Sequence, residues 1–319
     1  MTMATTTDLY PSRKSEPDEF FPRRDPTVYG TPDDGPLEQE QLDRYRRDGF
    51  LFFPGFFSGN ELGQYRKELS RLCCDPDMAG REEVITEPDG EEVRSIFRVH
   101  HHSQLFDELS RHPRVLPMAE QLLGSPVYLH QSRINYKPGF KGKGFNWHSD
   151  FETWHAEDGM PAMRAVSCSV ILTDNDMYNG PLMLIPGSHR YFIPCAGPTP
   201  DNHYRQSLRV QKLGVPDTDS LAHMIESGGI ESAIGPAGSL LLFECNLLHG
   251  SNANMSPTPR SNAFFVYNSV FNTPDRPFGA RHRRPGFLSN NESFAPLKTA
   301  RAKHRTDLAR ETDSALRPA

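Results

Sequence analysis

The strongest constraint on the fold is a change of texture at Val127. Before it, apolar residues recur at helical spacing; after it, the chain runs in short stretches of period-two alternation split by Gly, Pro, Asn and Asp. Strand candidates are 127–137, 164–173, 181–185, 238–244 and 262–270. Short strands of this kind point to a mainly β fold with flanking helices, built on a double-stranded β-helix, the jelly-roll or cupin-like core. The helices come first. Residues 36–49 carry Leu42 and Tyr45 and stop at Gly49, and 51–53 suit a short strand. Leu62, Tyr65, Leu69 and Leu72 mark a helix over 58–72. Two more follow at 103–109 and 114–123, the last stopped by Gly124.

Outside this pattern, residues 1–30 are rich in Thr, Pro, Asp and Arg and read as a flexible or loosely docked arm. Residues 31–297 read as one jelly-roll domain, with a long insertion at 194–229 suited to a lid, and 298–319 as a polar tail. The 319 residues hold 35 basic and 41 acidic side chains, scattered in both signs, which argues against a nucleic-acid binder. No apolar run is long enough to cross a bilayer and the start lacks a signal-peptide pattern, so a soluble cytoplasmic protein is the simplest reading. The five cysteines form no C-x-x-C pair and read as reduced, unreactive thiols.

Chemistry concentrates in the run from Phe145 to His155. On a strand, His148 and Asp150 would point to one face and could grip one metal ion. The alternative is a histidine bonded to a loop carboxylate. His249, at the far end of the 238–244 strand, would complete a 2-His-1-carboxylate set with open positions for a cosubstrate and dioxygen, as in non-haem Fe(II) oxygenases. Two His and a carboxylate also suit a zinc hydrolase, and a non-catalytic jelly-roll binding module stays open. Arg260 could clamp the distal carboxylate of a 2-oxo acid, which weighs against zinc.

Alternation in 127–137 puts Gln131, Arg133, Asn135 and Lys137 on one face, facing either solvent or a polar cavity; a neighbouring metal strand favours the cavity. Arg260, Asn262 and Phe264 likewise share a face. Trp154, Phe243 and Phe264 read as core aromatics one by one, but three around a metal suit a cationic or delocalised substrate. His101, His102, His189, His203 and His223 read as surface or structural, and His155 falls beyond the metal pair.

Taken together, Gln131-Ser132-Arg133-Ile134-Asn135 and the run from Phe145 to Pro161 resemble the signature of the ectoine hydroxylases. These are Fe(II)/2-oxoglutarate-dependent dioxygenases related to phytanoyl-CoA hydroxylase. The resemblance continues through Asn179-Gly180-Pro181-Leu182, Pro186-Gly187-Ser188-His189 and His249-Gly250-Ser251-Asn252 to Arg260, and covers most of residues 36–290. The Pro-Gly-Ser-His element marks only the broader superfamily; the tryptophan-containing run is specific to the hydroxylases.

The resemblance implies that His148, Asp150 and His249 hold Fe(II). It implies that Lys137, Asn135, Ser251 and Arg260 contact 2-oxoglutarate, with Phe145 packed beside it, and that Gln131, Thr153, Trp154, Ser167, Phe243 and Phe264 surround ectoine. The implied reaction consumes O2 and 2-oxoglutarate, releases succinate and CO2, and turns ectoine into 5-hydroxyectoine, a step in compatible-solute biosynthesis under osmotic stress. Another small zwitterion or an acyl compound is the alternative substrate. The implied partner is a small molecule, with neither nucleic acid nor membrane; a homodimer is compatible.

Overall fold

Capping chemistry sets the helical third. Ser58 and Glu61 exchange side chain to backbone hydrogen bonds, 2.8 Å in one direction and 3.4 Å in the other, and start the helix Gly59–Cys74. Gly49, at φ 84°, ends Gln39–Asp48 in the left-handed conformation that glycine adopts freely, and a Cβ there would lie 2.5 Å from the His189 ring. The computed structural model describes residues 7–16 and 18–300.

In chain order the strands are β1 (Phe21–Pro22), β2 (Phe50–Phe53), β3 (Val84–Thr86), β4 (Val93–Phe97), β5 (Val127–Lys137), β6 (Phe145–His148), β7 (Ala165–Ile171), β8 (Leu182–Leu184), β9 (Tyr191–Phe192), β10 (Glu231–Ser232), β11 (Leu240–Glu244), β12 (His249–Ser251) and β13 (Arg260–Ser269). The large sheet runs β2-β11-β7-β13-β5-β4-β3 and the small one β10-β8-β12-β6, with every pair antiparallel. This is the jelly roll the alternation predicts, and the 127–137 strand falls on its predicted bounds.

The alternation also sorts the two faces of the large sheet. Ile134, Val166, Cys168, Val170, Leu240, Leu242, Ala263 and Phe265 turn to one side and share a core with Leu62, Tyr65, Leu69 and Leu72 of the second helix. Replacing fully buried Phe265 by alanine would cost about 3–5 kcal/mol. The opposite face is mixed: Leu241, Phe243 and Phe264 join a second apolar cluster with Leu182 and Leu184, while the β5–β13 register aligns Lys137 with Arg260, Asn135 with Asn262 and Arg133 with Phe264.

Three features depart from the sequence reading. Asp150 does not lie on a strand: β6 ends at His148, and Asp150 opens the short helix Asp150–Thr153. The described part of the supposed flexible arm is docked. Tyr10 is fully buried with its hydroxyl donating to Asp25 at 2.7 Å, Arg13 is 6% exposed, and β1 pairs with β9. Residues 1–6 and the tail from 301 lie outside the described residues. The hairpin β3–β4, unforeseen, extends the large sheet beyond β5.

Candidate active site

The two histidines arrive on neighbouring strands of the small sheet, where β6 and β12 pair His148 with His249 and bring their ring centroids to 4.2 Å. Each ring is oriented by its own backbone. His148 Nδ1 donates to the Asn146 carbonyl at 2.7 Å and His249 Nδ1 to the Leu247 carbonyl at 2.9 Å. A carbonyl can only accept, so Nδ1 carries the proton and Nε2 keeps its lone pair in the neutral ring. Both Nε2 atoms face Asp150, one 3.8 Å from Oδ1 and the other 3.8 Å from Oδ2. That separation is too long for a hydrogen bond and leaves room for an ion between the three groups.

Asp150 reaches this point because Ser149 caps the helix that it opens, accepting the Glu152 N–H at 3.3 Å, while Phe151 N–H donates to the Cys245 carbonyl at 2.8 Å. Burial pushes the His148 imidazole down to about 3, aided by His249, and burial likewise lowers His249 against the pull of Asp150. At Asp150 burial acts upward, but His249, Arg133 and His148 together outweigh it and hold the carboxyl below its usual value. The set is thus two neutral imidazoles and a carboxylate, the form in which these groups bind a divalent metal.

Beside the cluster opens a cleft that holds about 920 Å³ of empty space, part of it continuous with solvent. Of the residues singled out in the sequence, Gln131, Asn135, Phe145, Thr153, Trp154, Ser251, Arg260 and Phe264 line it with the three metal candidates. Lys137, Ser167 and Phe243 stand behind the wall. The Lys137 ammonium rests on the Asn252 carbonyl, Ser167 Oγ donates to Asp150 Oδ2 at 3.4 Å, and the Phe243 ring lies 5.1 Å from His249.

The cavity's charge is unbalanced at one end. Arg260 Nη2 donates to the Gly180 carbonyl at 2.6 Å, while its buried Nε has no partner among the described residues. Burial lowers Arg260 to about 10, with Arg94 adding to the shift, and lowers Lys137 to about 6, with Arg260 and then Arg94 adding. Among the described residues neither Arg260 nor Lys137 is bonded to a carboxylate, an imbalance that an anionic ligand would relieve. At the other end, the buried Thr153 hydroxyl also lacks a partner, and Trp154 is only 2% exposed.

The sequence assigns no individual role to Arg133, to Arg284 or to any single residue of the insertion that it suits to a lid. Arg133 was placed only on a face; its guanidinium lies 5.0 Å from the Phe264 ring and donates to Gln131 Oε1 at 2.6 Å. Arg284, from a stretch with no periodicity, lines the cavity while paired with Asp158. Leu208, Gln211 and Leu213 come from the 194–229 insertion. His155 is structural, as read: Nδ1 donates to the Met160 carbonyl at 2.8 Å and the ring stacks 4.1 Å from Phe278.

A jelly roll that delivers two neutral imidazoles and a carboxylate to one point, beside a cavity lined with buried cations, defines the non-haem metal oxygenase class. The chain belongs to the phytanoyl-CoA dioxygenase (PhyH) family, whose profile matches residues 45–262. It is 57% identical over 293 residues to the ectoine dioxygenase of Halomonas elongata, covering 91% of this chain and 88% of that relative. With the ectoine dioxygenase of Stutzerimonas stutzeri it shares 48% identity over 291 residues, 91% of this chain and 96% of the other. The fold is similar to the crystal structure of EctD from S. alaskensis with 2-oxoglutarate and 5-hydroxyectoine. The TM-score is 0.84 at 44% identity, over 93% of this chain and 99% of that one. The same enzyme with bound Fe gives a TM-score of 0.83 at the same identity and coverage.

Proposed function

We propose that this protein is an Fe(II)- and 2-oxoglutarate-dependent dioxygenase that hydroxylates ectoine to 5-hydroxyectoine, with release of succinate and CO2. One observation carries the reading: a buried 2-His-1-carboxylate set shares a cavity with Arg260, a buried cation that has no carboxylate partner among the described residues. The names of the relatives and the ligands in the EctD structures supply the substrate.

His148, Asp150 and His249 would hold Fe(II), which with 2-oxoglutarate supplies the activation of dioxygen and the oxidising power. The protein contributes position and exclusion of water. Arg260 receives a charged end of the cosubstrate, Lys137 adds its charge from behind the wall, Asn135 and Ser251 offer hydrogen bonds, and Phe145 walls it in. Trp154 and Phe264 present ring faces to the delocalised cation of ectoine, while Thr153 and Gln131 offer polar contacts. Ser167 steadies the Asp150 carboxylate and Phe243 backs the His249 ring. No helix among the described residues is long and apolar enough to cross a membrane.

The deciding experiment is succinate release by purified protein with Fe(II) and 2-oxoglutarate, offered ectoine, proline or an acyl-CoA. Release coupled to ectoine is expected; coupling only to another substrate would replace ectoine, and activity with zinc alone would replace the whole class.

A further inference from the structure

Arg94 is buried to 2% exposure on β4 and takes no part in the chemistry derived above. Its guanidinium carbon lies over the Phe145 ring, 3.9 Å from the centroid, and the Lys137 ammonium lies 5.8 Å from the same centroid. Glu87, also 2% exposed, holds Arg94 Nη1 at 2.9 Å, and Nη2 donates to the Gly144 carbonyl at 3.0 Å. The guanidinium is thereby locked to the backbone that leads into β6 and the metal-binding histidine.

Phe145 is a partition. It lines both the active-site cavity and a separate groove outside it, whereas Arg94 lines the outer groove alone. Arg94 therefore stands one ring away from anything bound in the cavity. Its field still crosses: Arg94 lowers the proton affinity of both Lys137 and Arg260. Among the described residues, Lys137, Arg260 and Arg94 face a single carboxylate, Glu87. The net positive charge left over complements a dicarboxylate.

We propose that Arg94, braced by Glu87, is a positioning residue for the cosubstrate: it fixes the Phe145 ring and adds positive field at the end of the cavity that receives the 2-oxoglutarate dianion. This rests on the assignment of Arg260 and Lys137 to 2-oxoglutarate made above. Because Arg94 reaches the ligand only through Phe145 and through space, its loss weakens one ligand and spares the other.

The test is calorimetric titration of 2-oxoglutarate, and separately of ectoine in the presence of 2-oxoglutarate, into Ni(II)-loaded protein without turnover. If the wild-type protein does not bind 2-oxoglutarate, the cosubstrate assignment itself fails, independently of Arg94. Given wild-type binding, Arg94→Met is expected to weaken 2-oxoglutarate about tenfold or more while ectoine, at saturating 2-oxoglutarate, stays within about twofold. In the Fe(II) enzyme the KM for 2-oxoglutarate rises and kcat at saturation holds. Combined with Phe145→Leu, the Arg94→Met effect shrinks, as it must if it acts through that ring. Equal weakening of both ligands, an unchanged 2-oxoglutarate affinity, or full additivity with Phe145→Leu overturns the proposal. Should Arg94→Met fail to fold, Arg94→Lys keeps the charge and loses the planar stack. Weaker 2-oxoglutarate binding with ectoine unaffected then supports the proposal, and unchanged 2-oxoglutarate affinity overturns it.

Discussion

His148 and His249 share one device: each donates Nδ1–H to the carbonyl two residues before it and so turns a lone pair toward Asp150. Such backbone orientation keeps the rings in place when one ligand is lost. His148→Ala, Asp150→Ala or His249→Ala should therefore abolish turnover and bound iron while the circular dichroism spectrum stays native; an active variant refutes the assignment. Lys137 gives a prediction in pH. Burial, Arg260 and Arg94 against Glu87 hold its ammonium near 6, below the ordinary 10.5. Below about 6 it is already charged; above that it is neutral until a dianion restores the proton. 2-Oxoglutarate affinity should thus fall as pH rises from about 6. Binding at pH 8 should take up a proton, seen as a dependence of the calorimetric heat on the buffer's ionisation enthalpy. Lys137→Met should remove that uptake; a buffer-independent heat in the wild-type protein would sink the idea.

At the scale of elements, the short helix Asp150–Thr153 and the π-helical stretch Trp154–Asp158 carry a metal ligand and a cavity aromatic, and both are clamped from outside. Arg13 grips Glu152 through two bonds of 2.6 and 2.9 Å, and Arg284 holds Asp158 from the far end of the chain. Removing one partner of a buried pair strands the other charge, so Arg13→Ala should cost about 3–5 kcal/mol. Urea unfolding measures it, and an unchanged midpoint would show the docked segment to be dispensable. Legibility in the sequence varied with how local each cause is. β5 was readable to the residue because Gln131, Arg133, Asn135 and Lys137 alternate with the opposite face. The metal set was found with the wrong geometry for Asp150. The signal that corrects it was present, since Ser149-Asp150-Phe151-Glu152 has the Ser-x-x-Glu spacing of a helix start. The turn Pro88-Asp89-Gly90 similarly announced the β3–β4 hairpin. The docking of Tyr10 and Arg13 left no such trace, because their partners Asp25 and Glu152 are joined to them only by the finished fold.

Across the whole molecule, the cavity is closed by chain from outside the jelly roll. Ser207, Leu208, Gln211 and Leu213 of the 194–229 insertion face the cavity opposite the sheet, and the Gln211 carbonyl accepts Asn146 Nδ2 at 2.9 Å from the metal-bearing strand β6. The helix Tyr204–Ser207 has no fully buried residue and meets the core only where Tyr204 and Leu208 pack beside Phe287, so this segment opens at lower cost than the sheet. β5 and β13, paired over their length in the middle of the large sheet, open only with the whole protein. Ligands that contact both should slow exchange in both. With 2-oxoglutarate and ectoine each at about 100 times Kd, mass action stabilises the folded state by about 2.7 kcal/mol per ligand. Hydrogen exchange in 204–213 should slow by up to this global term, the limit reached when opening of the segment releases both ligands. In β5 and β13 the slowing should not exceed the global term. No slowing in 204–213 would mean that the segment opens with both ligands still bound, and that substrates reach the metal by another route than its opening.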